Sequence, residues 1–213
     1  MSVVLATRNQ GKIRELRRIL GGMPIVGLDA FPDAPDVPET ELTFEGNALL
    51  KARAIAAHTG LPAVADDSGL SVDALNGMPG VLSARWSGRF GDASGDKDTA
   101  NLRLVLDQLG DVADGARGGA FVCVAALVIP PGPEPGAGHG VEHCVEGRMR
   151  GTITREPRGT GGFGYDPIFV PDGETRTSAE LSPDEKDAIS HRGRAFRALA
   201  EILPDALKTA GLT

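Results

Sequence analysis

The ten residues from Leu61 to Leu70, Leu-Pro-Ala-Val-Ala-Asp-Asp-Ser-Gly-Leu, carry a short apolar run straight into two adjacent carboxylates, a hydroxyl and a glycine. A buried strand that ends on Asp66 and Asp67, with Gly69 free to turn the chain sharply, suits a site that holds a divalent metal and activates water. In an open α/β sheet the carboxyl ends of strands are also where ligands sit. The same residues suit a solvated turn between two strands. The rest of the chain has to decide between the two.

With 213 residues, 41% of them hydrophobic, the chain can bury a core as one domain or as two lobes sharing a sheet. A formal charge of −7 argues against a nucleic-acid groove. It leaves room for a small anionic substrate held by a few local Lys and Arg side chains. The N-terminus lacks a basic region before its apolar residues, and no apolar run approaches the roughly 20 residues that span a bilayer. The expectation is therefore a soluble cytoplasmic protein. Cys123 and Cys144 are the only cysteines, without Cys-x-x-Cys spacing, and read as two reduced thiols filling space. His139 and His143 have the i, i+4 spacing of metal ligands, but the Gly- and Pro-rich segment around them cannot hold a helix, so they read as loop surface.

Along the chain, residues 3–6 predict a buried strand and 11–20 a helix with Ile13, Leu16, Ile19 and Leu20 on one face, which makes an opening β-α unit. Residues 29–42 read as loop. Thr43 can cap a helix that runs through His58 and stops at Gly60, with Ala48, Leu49, Ala52, Ile55 and Ala56 as its apolar face. A strand over 61–65 follows, with 70–73 as its continuation, then a turn at Met78-Pro79-Gly80 and a helix over 98–109 closing at Gly110. Residues 117–154 predict a long hairpin with strands over 120–129 and 141–154 around a Pro-rich loop at 130–140. Ser182-Pro183-Asp184-Glu185 is a helix start, and helices then run to the C-terminus with Ala195, Phe196, Leu199, Ile202 and Leu203 buried. The expected fold class is α/β: one body with a projecting β lobe and a cleft between them.

Three further segments have chemical character. Thr7-Arg8-Asn9-Gln10-Gly11-Lys12 lies between the first strand and first helix, where free N–H groups and the positive helix end favour phosphate. It is not a Walker loop, since Ala6 replaces the first glycine and Ile13 the magnesium-binding hydroxyl. Taken alone it also reads as a plain polar turn. Residues 159–167 contain G-x-G-x-x-G, but the segment after them, ending in Pro171, reads as extended rather than helical, which rejects a dinucleotide fold. A glycine run that presents Phe163 and Tyr165 better suits a platform for a flat base. Lys186 and Ser190-His191-Arg192 place donors at and just beyond one helix, where they can read carbonyl acceptors or a phosphate.

Together the blocks Thr7-x-Asn9-x-x-Lys12, Thr43-Phe44 with Asn47-Ala48 and Lys51-Ala52, Ala65 through Leu70, Gly80 with Ser83-Ala84-Arg85, Gly161 through Pro167 and Ser190-His191-Arg192 resemble the inosine triphosphate pyrophosphatases over nearly the whole chain. The resemblance implies hydrolysis of ITP, dITP and XTP to the monophosphate and pyrophosphate, and a two-lobed α/β fold with a long mixed central sheet flanked by helices. It also implies a substrate cleft between the lobes and a homodimer. By the same resemblance, Thr7, Arg8, Asn9, Gln10, Gly11 and Lys12 cradle the triphosphate. Glu39 and Asp67 serve magnesium, and Asp67 is the proton acceptor. Lys51 and Ser68 touch the substrate. Phe163, Gly164, Tyr165 and Asp166 hold the base, with Phe163 stacking on it, and Lys186, His191 and Arg192 complete its recognition. Glu41 and Gly46 stand where many members of that family carry Gly and Glu, which puts the geometry around Glu39 in question. Two rivals remain: a Maf-type pyrimidine nucleoside triphosphate pyrophosphatase, disfavoured by the Gly-Gly-Phe-Gly-Tyr-Asp and Ser-His-Arg blocks, and a non-catalytic nucleotide sensor, which would need a disabled acid.

Overall fold

The computed structural model describes residues 2–19, 25–131 and 140–212. Strand β1 (Val3–Leu5) is fully buried and leads into α1 (Gln10–Ile19), which packs Leu16 inward with Ile13 and Ile19 beside it. Leu20, expected on that face, lies outside the described residues. A three-residue strand, β2 (Ile25–Gly27), follows, and then α2 (Phe44–Thr59). Thr43 Oγ1 accepts from Gly46 N at 3.0 Å, and Gly60 closes α2 in the left-handed region at φ +66°. A Cβ at Gly46 would lie 2.7 Å from Glu41 Cβ. The acidic side chain at 41 and the glycine at 46 therefore belong together, because either one alone would leave a clash or a gap.

Strand β3 (Ala63–Val72) corrects the expectation of a strand ending at the acidic pair. It runs unbroken through Asp66 and Asp67, and Gly69 makes no turn. A Cβ at Gly69 would come within 2.5 Å of the Gly80 carbonyl and closer still to Ser83 Oγ, so this glycine permits a close approach of backbone. Leu70 N donates to Ser83 Oγ at 2.9 Å across that contact.

Helices α3 (Gly88–Ser94) and α4 (Lys97–Gln108) precede β4 (Gly118–Ile129) and β5 (Val141–Ile153). The two strands neighbour one another, and Ile153 N donates to Arg117 O at 2.9 Å where their outer ends meet. Every residue of β4 from Ala120 on is buried, so its near-continuous apolar run reflects cover on both faces. Along β5, burial alternates beyond Glu146 and the other face is exposed. Cys144 is on that exposed side, which corrects its reading as a space-filling thiol, whereas Cys123 is buried. Strand β6 (Phe169–Pro171) pairs antiparallel with β5, and α5 (Pro183–Ile189) and α6 (His191–Thr209) complete the chain.

Among the described residues the strands form one mixed sheet in the order β2-β1-β3-β4-β5-β6, with β1 parallel to both β2 and β3. Two compact units divide the chain. The first, Met1–Asp67, Cys123–Gly147 and Arg192–Thr213, has a core on each face of its strands. Val64, Cys123 and Leu127 pack with Leu16, Phe196 and Leu199 on one face, and Ala63, Ala65 and Val124 pack with Ala48, Ala52 and Ile55 on the other. The second, Ser68–Val122 and Arg148–His191, buries Leu70, Leu102, Val105, Phe121, Met149 and Phe169 together. No helix among the described residues is long and apolar enough to cross a membrane.

The start of α5 has the form its sequence predicts: Ser182 Oγ accepts from Glu185 N at 3.3 Å, and Glu185 Oε2 accepts from Ser182 N at 2.8 Å. Ser182→Ala is expected to cost about 1 kcal/mol, read from denaturant unfolding midpoints. The backbone and side chain of Ser182, with Arg176, lower the Glu185 pKa to about 2. A carboxylate whose folded pKa is lowered adds stability above its unfolded pKa and loses it as pH falls. Unfolding free energies of the protein and of Glu185→Gln should accordingly differ above pH 4.5 and converge as pH drops through about 2.

Candidate active site

Because β1 runs parallel to β3, with Ala6 N donating to Val64 O at 2.8 Å, the turn after β1 is carried to the middle of β3. That turn is tied together by its own side chains. Thr7 Oγ1 accepts from Asn9 N, and Asn9 Oδ1 accepts from Lys12 N at 3.1 Å, which leaves Gln10 and Gly11 in the first turn of α1. Arg8 turns away onto Asp36 and the Ala34 carbonyl. Lys12 reaches inward, and its Nζ donates to Asp66 Oδ2 at 2.8 Å.

Consecutive residues of a strand face opposite sides. Asp66 shares the face of Val64 and Cys123, while Asp67 shares the face of Ala63 and Ala65. The acidic pair is thus two separate carboxylates with separate partners. Asp66 is 2% exposed and sits among Lys12, Arg192 and the thiol of Cys123, whose Sγ is 3.9 Å away. Burial opposes its charge, yet Lys12, then Arg192 and Lys51, hold its carboxyl well below the usual carboxylate range. Burial and the Asp66 charge push the Cys123 thiol pKa up, so this cysteine stays protonated.

Asp67 meets the other side of the unit. Asn47 Nδ2, on α2, donates to its Oδ2 at 3.0 Å, and Lys51 Nζ, one helical turn on, lies 3.6 Å from Oδ1. Lys51 also donates to Glu39 Oε1 at 2.7 Å. Burial pushes the Asp67 pKa up to about 6, with the Glu39 charge adding to it against Lys51, Lys12 and Asn47. Burial works against the Lys51 charge, but Asp66, Asp67 and Glu39 together raise its pKa. Glu39 and Asp67 therefore already converge on one cation. Among the described residues no group of three or more His, Cys, Asp or Glu is placed to hold a metal. A metal held by Glu39 and Asp67 must take its remaining ligands from water and phosphate, which is how magnesium usually binds.

In the second unit the glycine run folds over Asp166. Asp166 Oδ2 accepts from Phe163 N at 2.9 Å and from Lys186 Nζ at 2.7 Å, and the Lys186 ammonium stands 5.2 Å from the Phe163 ring centroid. Gly164 N donates to Asp98 Oδ2 at the start of α4. Of the two aromatics expected on the platform, Phe163 is partly exposed, whereas Tyr165 is buried with its hydroxyl donating to Ser83 O at 2.8 Å. His191 stacks on Phe121, ring centroids 4.9 Å apart and 13° from parallel. Arg192 belongs to the first unit, where it pairs with Glu15 and faces Asp66.

Sequence reasoning misses Glu15, Asp98 and Phe121, and takes Asn47 only as part of a block with Ala48. A signal exists for two of these four. Glu15 stands three residues after Lys12, on the same helical face as that cation, and Asn47 is a polar residue four before Lys51 on an otherwise apolar stripe.

A model of the Ham1 family matches residues 3–202. The dITP/XTP pyrophosphatase of Streptomyces coelicolor is 58% identical over 209 residues, covering 96% of this chain and 98% of its own. The protein of that name from Frankia alni is 58% identical over 208 residues, covering 97% and 99%. Among solved structures, the nucleoside-triphosphatase / dITP/XTP pyrophosphatase of Mycobacterium abscessus is similar with a TM-score of 0.73 at 55% identity, over 93% of this chain and 98% of that one. A HAM1 protein from Coxiella burnetii is similar with a TM-score of 0.80 at 41% identity, over 96% and 99%. From the match of the family model over nearly all of the sequence, and from relatives identical at more than half of their positions, the chain belongs to the Ham1 family.

Proposed function

We propose that this protein hydrolyses non-standard purine nucleoside triphosphates, ITP, dITP and XTP, to the nucleoside monophosphate and pyrophosphate. The observation that carries the reading is the convergence of Glu39 and Asp67 on one cation beside the phosphate-type turn of Thr7 to Lys12, in a chain whose relatives bear the name dITP/XTP pyrophosphatase. Glu39 and Asp67 would hold magnesium, which when bound would supply charge neutralisation on the phosphates and polarise water. The protein's own groups do the rest. Lys12 and Lys51 turn from carboxylates to phosphate oxygens. Asp67, steered by Asn47, takes a proton from the water that attacks the α-phosphorus, and the bond to the bridging oxygen breaks as pyrophosphate leaves.

In the second unit Phe163 supplies a stacking face, and Lys186, fixed by Asp166, supplies a donor for the carbonyl that hypoxanthine and xanthine carry at C6. Adenine carries an amino group there and leaves that donor unmatched. Phe163→Ala is expected to raise KM for ITP roughly tenfold with an unchanged melting temperature, as the loss of one stacked base. The composition supports a cytoplasmic setting, and the family resemblance supports a homodimer, which light scattering of the purified protein tests.

Pyrophosphate release measured with ITP, XTP, dITP, GTP, ATP, dTTP and UTP, with and without magnesium, tests the function. Selective, magnesium-dependent turnover of ITP, dITP and XTP is expected. Preference for dTTP or UTP would move the chain to the pyrimidine-directed rival, and tight binding without turnover would make it a sensor.

A further inference from the structure

Asp98 is an exposed acid in the first turn of α4, yet its carboxylate does not cap that helix. The cap is Asp96, whose Oδ1 accepts from Thr99 N at 3.1 Å. Asp98 Oδ2 instead accepts from Gly164 N at 2.9 Å, 66 residues further along the chain and in the same unit. Helix α4 is a firm support for such a reach. Leu102 and Val105 are buried in the core of the second unit, and Asn101, one turn on from Asp98, accepts from both Ser87 N and Ser87 Oγ at 2.7 Å. The loop it reaches needs support. Phe163 lies between Gly162 and Gly164, at φ +73° and +61°, so the backbone on either side has little preference of its own. The N–H of Phe163 goes to Asp166 Oδ2 at 2.9 Å, and the next N–H goes to Asp98. Two carboxylates, one within the loop and one on a helix, thus pin the two peptide groups that flank the Phe163 Cα.

From this juxtaposition we infer that Asp98 is a positioning residue for base recognition: by holding the Gly164 peptide against α4 it sets the direction of the Phe163 ring, without itself touching the substrate. The inference rests on the proposed role of Phe163 as the stacking face for the base. Peptide groups are planar, so fixing the plane on each side of a Cα fixes the direction in which its side chain leaves the chain. Without Asp98 the second plane is free to turn its N–H to water, and the ring must be ordered at the moment the base arrives. That ordering cost is paid out of binding. The contribution is geometric, so a neutral acceptor of the same shape serves in place of the carboxylate. It acts on affinity and not on the chemical step, because the held ring meets the base and not the reacting phosphorus.

The test compares the unsubstituted protein with Asp98→Ala, Asp98→Asn, Phe163→Ala and the double variant Asp98→Ala/Phe163→Ala. Affinity for ITP is measured by calorimetry in EDTA, KM and kcat for ITP are measured with magnesium, and melting curves verify folding. Asp98→Ala should bind ITP about fivefold more weakly, as the loss of one hydrogen bond that orders the site. Its KM should rise by the same factor, with kcat changed less than about twofold. Asp98→Asn, which keeps the acceptor oxygen, should recover affinity to within about twofold. In the Phe163→Ala background, Asp98→Ala should add less than about twofold, because both substitutions act through one ring. If Asp98→Ala melts too low to assay, Asp98→Ser takes its place: it keeps a polar residue in the first turn of α4, and its hydroxyl is one bond too short to hold Gly164 N. Unchanged ITP affinity and KM in Asp98→Ala, a fall in kcat as large as the rise in KM, an Asp98→Asn as weak as Asp98→Ala, or a loss that adds in full to that of Phe163→Ala each overturns the inference. The readings beneath it fail by different signs. Unchanged affinity in Phe163→Ala removes the stacking face and the inference with it, whereas ITP bound with the expected pattern but no pyrophosphate released from ITP, dITP or XTP ends the functional proposal and leaves the role of Asp98 standing.

Discussion

Asp67→Asn should lower pyrophosphate release from ITP by about a thousandfold or more, since it removes the proposed proton acceptor and one of the two carboxylates proposed to hold magnesium. The fold should survive. The Asn oxygen can still accept from Asn47 Nδ2, and Lys51 keeps Glu39 at 2.7 Å. Stability should even rise at neutral pH. An acid whose folded pKa lies at about 6, above its ordinary 3.8, favours the folded state when protonated and opposes it when charged. Between pH 4 and 6 the metal-free protein therefore loses stability as pH rises, on the order of 1–2 kcal/mol, and the neutral variant does not. Unfolding free energies in EDTA should show the variant ahead at pH 7 and level with the unsubstituted protein below pH 4. Retained turnover in a folded Asp67→Asn protein would remove Asp67 from catalysis.

Arg117→Met should destabilise the protein by about 4 kcal/mol without touching any residue of the candidate site. Arg117 is 2% exposed, and its hydrogen bonds go to backbone: Nη1 to Leu109 O at 2.6 Å, Nε to Ile153 O at 3.0 Å and Nη2 to Thr154 O at 2.8 Å. One guanidinium thus ties the C-terminal cap of α4 to the end of β5, and the helix dipole favours a cation there. Methionine keeps most of the apolar stem and abandons all three carbonyls. Arg117→Lys keeps the charge but not the planar fork, and should recover only part of the loss. Denaturant unfolding of the three proteins checks the order, and equal midpoints for the unsubstituted protein and Arg117→Met would show that water satisfies those carbonyls.

Features governed by neighbours in sequence were legible. Thr43 and Gly60 bound α2, and Ser182 and Glu185 start α5, because caps are local chemistry. What depended on distant partners was not. A continuation over 70–73 was legible, but nothing around Asp66 announces that the strand runs unbroken through it, because the cover that lets a carboxylate sit mid-strand comes from Lys12 and Arg192, and the Glu15 that steadies Arg192 lies 177 positions from it. Tyr165 looks like a presented aromatic until Ser83, 82 residues earlier, accepts its hydroxyl. The Cys144 thiol reads as apolar filling in a strand whose outer face is in fact open.

Two identical side chains cannot tell a strand which of them belongs on which face. If β3 slid by one residue in either direction, one of the two carboxylate positions would still receive an aspartate, so charge pairing alone polices the alignment weakly. Gly69 does not share that ambiguity. Moving Ser68 or Leu70 into its place would drive a Cβ to within 2.5 Å of the Gly80 carbonyl. The residue with no side chain is the one that assigns the two acids their separate tasks.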